Sequence, residues 1–386
     1  MFLIALKMLF GDAARFFGIV MGVTLACFVI AQQGAIFIGI MNRTTALITD
    51  MGYPDIWVMD PKVQYIDDVK PLQETQLYRV RGVEGVAWAS RLYKGMIRAR
   101  LEDGTFQNCN LIGIEDSTLV GGPPAMEQGS IAELRQSEAV IVDNIGAATR
   151  LARRPHGPDG PTVPLAIGNV LELNDKRGIV VGISRNTRTF QSQPMVYTTY
   201  GRALQYAPKE RKSLSFVLVG AKPGQDIQEL CRRITERTGL AAYTRDQFRW
   251  VTIGYYLKNT GIPINFGLAV SLGFLIGTVI TGFMFYNFTL DNLRFLGTLK
   301  AMGTGDVKLL WMILLQAIVV GLLGFGIGIG LASLVGFQNR NSPLAFSMPW
   351  QLLMVAGAAV IVICMLSAML SMRRVVVLEP AVVFKG

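Results

Sequence analysis

The sequence predicts an α+β membrane protein: four transmembrane helices, with a large extracytoplasmic α/β domain inserted between helices 1 and 2. Three observations carry this expectation. First, four windows, 16–42, 259–290, 309–339 and 341–372, contain no Asp, Glu, Lys, Arg or His. A helix needs about 20 apolar residues to cross the hydrocarbon core of a bilayer, and each window is longer than that. Second, all 37 Lys+Arg and 27 Asp+Glu fall outside these windows, 28 and 23 of them in 43–258, a charge density ordinary for soluble protein. Third, 43–258 alternates strand-like and helix-like patterns. A single soluble globule, a disordered chain and a transmembrane barrel are thereby excluded.

The elements follow in order. Residues 1–15 are rich in Met, Phe and Leu, carry Lys7 and Arg15, and predict an interfacial helix lying along the membrane. The first span is 16–42. It is too long for the apolar region of a cleaved signal peptide. Within 43–258, Asp55–Met59 reads as a strand, and Pro71 opens a helix that stops near Gly82. Met96–Leu101 and Asn110–Ile114 flank the turn Glu102-Asp103-Gly104, a hairpin signal. Asp143 caps a short helix running through Arg150, after the apolar run Ala139–Val142. Val170–Leu173 and Ile179–Ile183 flank Asn174–Gly178 as a second hairpin, and Phe216–Val219 is a further strand. Over 226–238, Ile227, Leu230 and Ile234 share one helical face, and Gly239 closes it.

The Pro-rich stretch Arg153–Pro164 predicts a loop between two lobes of this domain. After 43–258 come the second span (259–290), a loop with a coupling helix (291–308), the third span (309–339), a short outer loop (340–349), the fourth span (350–372) and a tail (373–386).

Short flanking segments rich in Lys and Arg stay in the cytoplasm. Lys7, Arg15, Arg294, Lys300, Lys308, Arg373, Arg374 and Lys385 fall on one side of four crossings, and only Arg340 on the other. Both termini and the 291–308 loop are therefore expected inside, and 43–258 outside. The inner cations face the lipid bilayer and any cytoplasmic partner. Nucleic acid fits neither part.

Motifs for chemistry are lacking. The dipeptide Gly-Lys occurs nowhere, so no phosphate-cradling GxxxxGK[ST] loop exists. No zinc spacing and no GxSxG is present, and the lone His156 sits in a Pro/Gly loop. Acidic pairs such as Asp67-Asp68 and Glu115-Asp116 are adjacent residues, which on a strand point to opposite faces, so they read as solvated turns. No catalytic residue, cofactor or metal site is expected. Cys109 and Cys231 could pair, and spacing leaves this open. The spans hold no ionisable group, which disfavours ion-coupled transport. They do hold small residues at i, i+4: Gly18/Gly22, Gly273/Gly277, Gly324/Gly328 and Gly326/Gly330. Such spacing serves close helix packing, within one bundle or between two copies.

The 291–308 loop is the most informative stretch. Leu293, Leu296 and Leu299 recur every three residues with Phe295 beside them. Asp291 and Arg294 are spaced to pair, and Gly303 and Gly305 end the helix. Such a helix lies either in the headgroups or in a partner's groove. Phe295-Leu296-Gly297-Thr298-Leu299-Lys300-Ala301-Met302-Gly303 resembles the coupling run of the FtsX-like permease family, to which the MacB permeases belong. It departs from the family pattern at Phe295, where an acidic residue is usual. The ending from Arg373 to Pro380 and the layout of one span, a large outer domain and three spans also resemble that family. Tyr53–Pro61 and Leu299–Gly303 resemble DevC-type permeases within that family, which lack a fused ATPase.

The resemblance implies a separate ABC ATPase subunit that binds ATP and docks on Asp291, Leu293, Arg294, Phe295, Leu296, Leu299 and Lys300. It also implies a second permease chain (a homodimer), a membrane-fusion adaptor with an outer-membrane channel, and a place in the cell inner membrane. Two functions stay open: export of a lipid, glycolipid, peptide or drug, or transmission of motion to an envelope partner such as a cell-wall hydrolase.

Overall fold

The computed structural model describes residues 2–154, 161–208, 213–340 and 342–376. It comprises two compact units, Met1–Ile40 with Gly261–Gly386, and Met41–Thr260. The expected tail motif beyond residue 376, and His156 with most of its loop, lie outside the described residues.

The second unit is built on a ten-stranded sheet of order β10-β1-β9-β2-β3-β8-β5-β7-β4, with β6 against β2 and β7. The strands are β1 (Ile56–Met59), β2 (Val86–Arg100), β3 (Phe106–Ile114), β4 (Met126–Gln128), β5 (Ala139–Asp143), β6 (Val170–Leu173), β7 (Lys176–Ser184), β8 (Met195–Thr199), β9 (Phe216–Ala221) and β10 (Ala241–Thr244). Along a strand, alternate side chains point to opposite faces. Both faces are buried here, so strands read as unbroken apolar runs. In β1, Ile56 and Val58 enter one core while Trp57 and Met59 enter the other. In β5, Val140 and Val142 divide from Ala139 and Ile141 in the same way.

The strand β2 is 15 residues long. Its first half pairs with β9 and its second half with β3. One strand, far longer than the usual 5–6 residues, thus belongs to both halves and makes the sheet continuous. Of the expected Arg153–Pro164 loop, Arg153 and Arg154 lie beside the β2–β3 turn. Arg153 and Val163 form an antiparallel bridge, and Arg153 Nε reaches Glu102 Oε1 at 2.6 Å.

Local signals are realised with shifted edges. The helix expected from Pro71 begins as α4 (Thr75–Arg81), because Leu72 is held in an antiparallel bridge to Leu214, its N–H on Leu214 O at 2.8 Å. The β6–β7 turn is two residues, Asn174-Asp175, with φ of 47° and 62°. Asn and Asp are the side chains that tolerate two successive positive φ values. Asp143 caps α5 (Asn144–Ala148) by accepting Gly146 N–H at 2.8 Å, and its other oxygen takes Met195 N–H at 2.6 Å. That helix stops two residues short of the expected Arg150. The helix over 227–238 is α7 (Ile227–Thr238), capped by Asp226 and closed by Gly239 at φ +74°. α3 (Ala46–Asp50), α6 (Tyr200–Tyr206) and α8 (Arg245–Asn259) also belong to the unit, the last opened by a Thr244/Gln247 capping box. Cys109 and Cys231 are both buried free thiols in one core. Burial pushes Cys109 up to about 12 and Cys231 up to about 11.

The first unit is helical. Among the described residues, four helices are long and apolar enough to cross a membrane: Ala13–Thr44 (α2), Ile262–Asp291 (α9), Asp306–Gln338 (α11) and Trp350–Met372 (within α12, Trp350–Val376). The interfacial helix expected over 1–15 is α1 (Phe2–Gly11), and it is a packed member of the bundle. Ala5 and Leu9 are fully buried, and Ala5 O accepts from Gln316 Nε2 of α11 at 2.9 Å.

The small residues decide how closely the helices approach. A Cβ on Gly277 would lie 2.2 Å from Ala26 Cβ, and one on Gly273 would lie 2.7 Å from Val29. From the other side, Gly18 meets Met284 and Gly22 meets Thr281. Gly324 and Gly328 of α11 meet Val23 and Cys27 of α2. Gly326 and Gly330 face open space. Gly39 lies against the backbone of Ala345 and Phe346, where a Cβ would be 2.6 Å from Ala345 C. Thr289 and Ser371 join α9 to α12 through a buried hydroxyl pair.

Candidate functional site

The site expected between the second and third spans is the short helix α10 (Leu293–Ala301). Its start is set at Asn292, whose side-chain Nδ2 donates back to Phe288 O at 2.8 Å, while its carbonyl accepts Leu296 N–H at 3.0 Å. Its end is a Schellman closure. Gly303 N–H bonds Lys300 O at 3.0 Å and Thr304 N–H bonds Leu299 O at 3.1 Å, with Gly303 at φ +88°. Only glycine adopts that φ without strain, so the helix ends at a fixed place.

The leucines turn inward, which corrects the expectation that they meet a partner. Leu296 is 3% exposed, in one cluster with Phe285, Phe288, Leu309 and Met312, and Leu293 and Leu299 pack beside it. At 100° per residue, Leu293, Leu296 and Leu299 fall within a 120° arc. Phe295 and Met302 fall outside that arc, at 63% and 69% exposure. Arg294 is exposed there too. Sequence reasoning missed Met302. Its signal was the drift of a three-residue repeat on a 3.6-residue helix, which carries position 302 to the Phe295 face.

The expected charges also find other partners. Asp291 pairs with Arg15 Nη1 at 2.6 Å instead of Arg294, and Arg15 Nε also holds Asp12 at 3.0 Å. Lys300 reaches Asp306 at 2.8 Å across the Gly303–Gly305 turn. The inward leucines and the Lys300–Asp306 pair fasten α10 to the bundle on one face, and the Asp291–Arg15 pair ties the end of α9 just before it to α2. The other face presents an aromatic ring, a thioether and a guanidinium. Among the described residues, no group of three or more His, Cys, Asp or Glu could hold a metal.

The second unit contains a strongly coupled polar network. Arg91 Nη2 meets Glu115 Oε1 at 2.6 Å, and Arg91 backbone N–H bonds Glu115 Oε2 at 3.2 Å. The guanidinium carbon lies 4.8 Å from the Tyr200 ring centre, and the Tyr200 hydroxyl donates to Glu74. Burial pushes the Glu115 carboxyl up, but the hydrogen bonds and charge of Arg91 outweigh it and hold the carboxyl below its usual range.

Two family models match the chain. The FtsX-like permease C-terminal model covers 267–380, and the MacB-like periplasmic core domain model covers 16–237, more than half of the chain. The chain belongs to the MacB/FtsX family of ABC transporter permeases. Relatives of this permease include an ABC transporter permease of Mycobacterium tuberculosis (strain CDC 1551 / Oshkosh). It is 22% identical over 320 residues, 82% of this chain and 80% of the relative. An ABC transporter permease of Mycobacterium bovis is 25% identical over 240 residues, 61% of this chain and 64% of the relative. The extracellular domain of the noncanonic ABC-type transporter YknZ from Gram-positive bacteria aligns at TM-score 0.33 and 15% identity, over 50% of this chain and 98% of that domain. The periplasmic region of MacB from Actinobacillus actinomycetemcomitans aligns at TM-score 0.37 and 15% identity, over 55% and 96%. In this permease the MacB-type model ends within α7 and the FtsX-type model begins within α9, so the two models divide the chain on either side of α8.

Proposed function

We propose that this permease is the membrane subunit of an ABC export system, driven by a separate ATPase whose motion enters through α10. The observation that carries this reading is the two-sidedness of α10. One face is anchored by Leu296 and the ion pair Lys300–Asp306, with Asp291–Arg15 fixing the chain just before it, while the other exposes Phe295, Met302 and Arg294. A helix that passes force must be rigidly joined to the bundle and must offer a grip to the motor. In this reading two permease chains and two ATPase chains form the working unit. An adaptor and outer-membrane channel continue the path, and cargo is handled by the 43–258 domain outside. In this reading ATP is bound by the partner, which agrees with the lack of a GxxxxGK[ST] loop in this sequence.

Phe295→Ala is expected to lower copurification of the ATPase at least tenfold, since one or two buried anchors usually carry a contact at about 2 kcal/mol or more each. Arg294→Ala is expected to cost less, about 1 kcal/mol or below, as a screened rim charge. Leu296→Ala loosens α10 from the bundle and is expected to reduce thermal stability as well. If Phe295→Ala and Met302→Ala both retain the ATPase as fully as the parent, α10 is not the grip.

Orientation is tested separately. In this reading both termini and α10 lie in the cytoplasm and the 340–349 loop lies outside. A single introduced cysteine at Ser342 is expected to react with an impermeant thiol reagent in intact cells, and one at Thr304 only after lysis. Equal labelling of both from outside would sink the topology.

A further inference from the structure

A cavity of about 440 Å³ opens in the second unit, beside the middle of β2 and β3. That volume lies within the range of small-molecule sites, about 300–1,000 Å³. Its walls come from the end of α2, the 65–71 loop, the strands β2 and β3, and the 189–193 loop. The lining is half polar, and its charges balance. Arg43 and Lys94 are the cations, and Asp67 and Asp68 the carboxylates. Asp68 is held by Lys70 at 2.7 Å.

Lys94 is the unusual residue. It is 8% exposed in the middle of β2, and its Nζ pairs with Asp67 Oδ1, which is itself 42% exposed. Its backbone is fixed to Ser215, whose Oγ accepts Lys94 N–H at 2.9 Å. A desolvated ammonium on a strand face is costly unless a partner serves it. Asp67 serves it from a loop, so the pair can open without unfolding the strand. Around the pair stand carboxamides, Asn110, Gln191 and Gln193, each offering a donor and an acceptor. Thr189 Oγ1, also in the lining, is buried and has no hydrogen-bond partner among the described residues. Both loop walls are pinned to α8 by rings. Tyr65 stacks on Tyr255 at 4.2 Å and Phe190 meets Tyr256 at 5.5 Å.

We propose that this cavity binds a small zwitterion of the amino-acid or dipeptide class, its carboxylate taken by Lys94 and its ammonium by Asp67. Each half of the ion pair then exchanges one charged partner for another of the same sign, so no charge is left uncompensated. A phosphate or a lone cation would leave one member of the pair without a counter-charge. The carboxamides match a peptide bond's own donor and acceptor, and Tyr65 and Phe190 give its side chain an apolar face. The ligand site goes beyond the coupling reading and stands without it, because binding is measured on the permease alone.

The test is saturation-transfer NMR on full-length permease in non-ionic detergent. The probes are the twenty free amino acids and phenylalanyl dipeptides, then the same dipeptides acetylated and amidated, then dihexanoyl phosphatidylethanolamine. At least one free zwitterion is expected to bind with a Kd below 1 mM, on the order of small-ligand sites. Blocking both ends should weaken it at least tenfold, the loss of two charge-assisted contacts. Lys94→Met should do the same while leaving Asp67 in water. Asp67→Asn, at a half-exposed loop position, gives a second reading if Lys94→Met fails to fold. No binding by any free amino acid or dipeptide, equal binding of the blocked forms, or binding of the phospholipid alone would overturn the proposal.

Discussion

Gly277→Leu is expected to prevent the membrane bundle from closing. A Cβ at this position would lie 2.2 Å from Ala26 Cβ and 3.3 Å from Ala26 Cα, with the Gly22 carbonyl close behind. The neighbour is part of the facing helix and cannot swing aside as a long side chain could. α2 and α9 would have to separate along their whole contact, which also joins Gly22 to Thr281 and Gly273 to Val29. Overpacking of a dense interior costs about 1–3 kcal/mol where it can relax and more where it cannot. Van der Waals contact is also the main attraction between helices in lipid, where no hydrophobic force draws them together. The measurement is the melting temperature and yield of detergent-purified permease. Gly330→Leu is the control, because that glycine faces open space and its replacement is expected to be neutral in the isolated chain. Equal loss for both variants would mean that bulk anywhere on the spans is harmful, and the α2–α9 seam would lose its special standing.

Arg91→Met is expected to destabilise the second unit by about 3 kcal/mol, the usual cost of stripping the partner from a buried charge. Glu115 is 6% exposed at its side chain and would be left without the guanidinium that meets it at 2.6 Å. The Tyr200 ring would lose its cation as well. Glu115→Gln should cost less, because Arg91 is 29% exposed and can take water in place of its partner.

The pH dependence follows from the depressed carboxyl. A group whose folded pKa lies below its unfolded value stabilises the fold in full above the unfolded value, about 4.3 for Glu. That contribution is lost as the pH falls through the lower folded value. The parent should therefore lose stability on acidification below about pH 4.3 more steeply than Glu115→Gln. Thermal melts of full-length permease between pH 3 and 7 test this, and parallel curves would show that the pair contributes nothing to acid sensitivity.

Much of the architecture was legible in residue order. Charge-free windows mark the spans because an ionised group in hydrocarbon has no water to replace. Asp226 and Gly239 bracket α7, and Asp143 opens α5, because these signals act on backbone groups within one turn of the chain. Glycine spacing marked the seams, yet could not say that Gly324 and Gly328 meet α2 while Gly326 and Gly330 meet nothing. That assignment depends on how each helix is rotated, which its neighbours set.

The coupling helix divides in the same manner. Its existence, its ends and its apolar character stand in residues 292–305, since local hydrogen bonds and the left-handed Gly303 suffice for them. Which face is free was decided by packing. Leu296 found a hydrophobic cluster within its own chain, and Asp291 found Arg15, far off in sequence, instead of Arg294 one turn away. In the second unit the order of strands, the sharing of β2 by both halves of the sheet, and the meeting of Lys94 with Asp67 rest on contacts between segments tens of residues apart. The sequence by itself determined class, spans and local caps, because those arise from solvent transfer and from neighbours along the chain. Tertiary structure alone decided the rest, because a side chain's partner is set by where distant backbones come to lie.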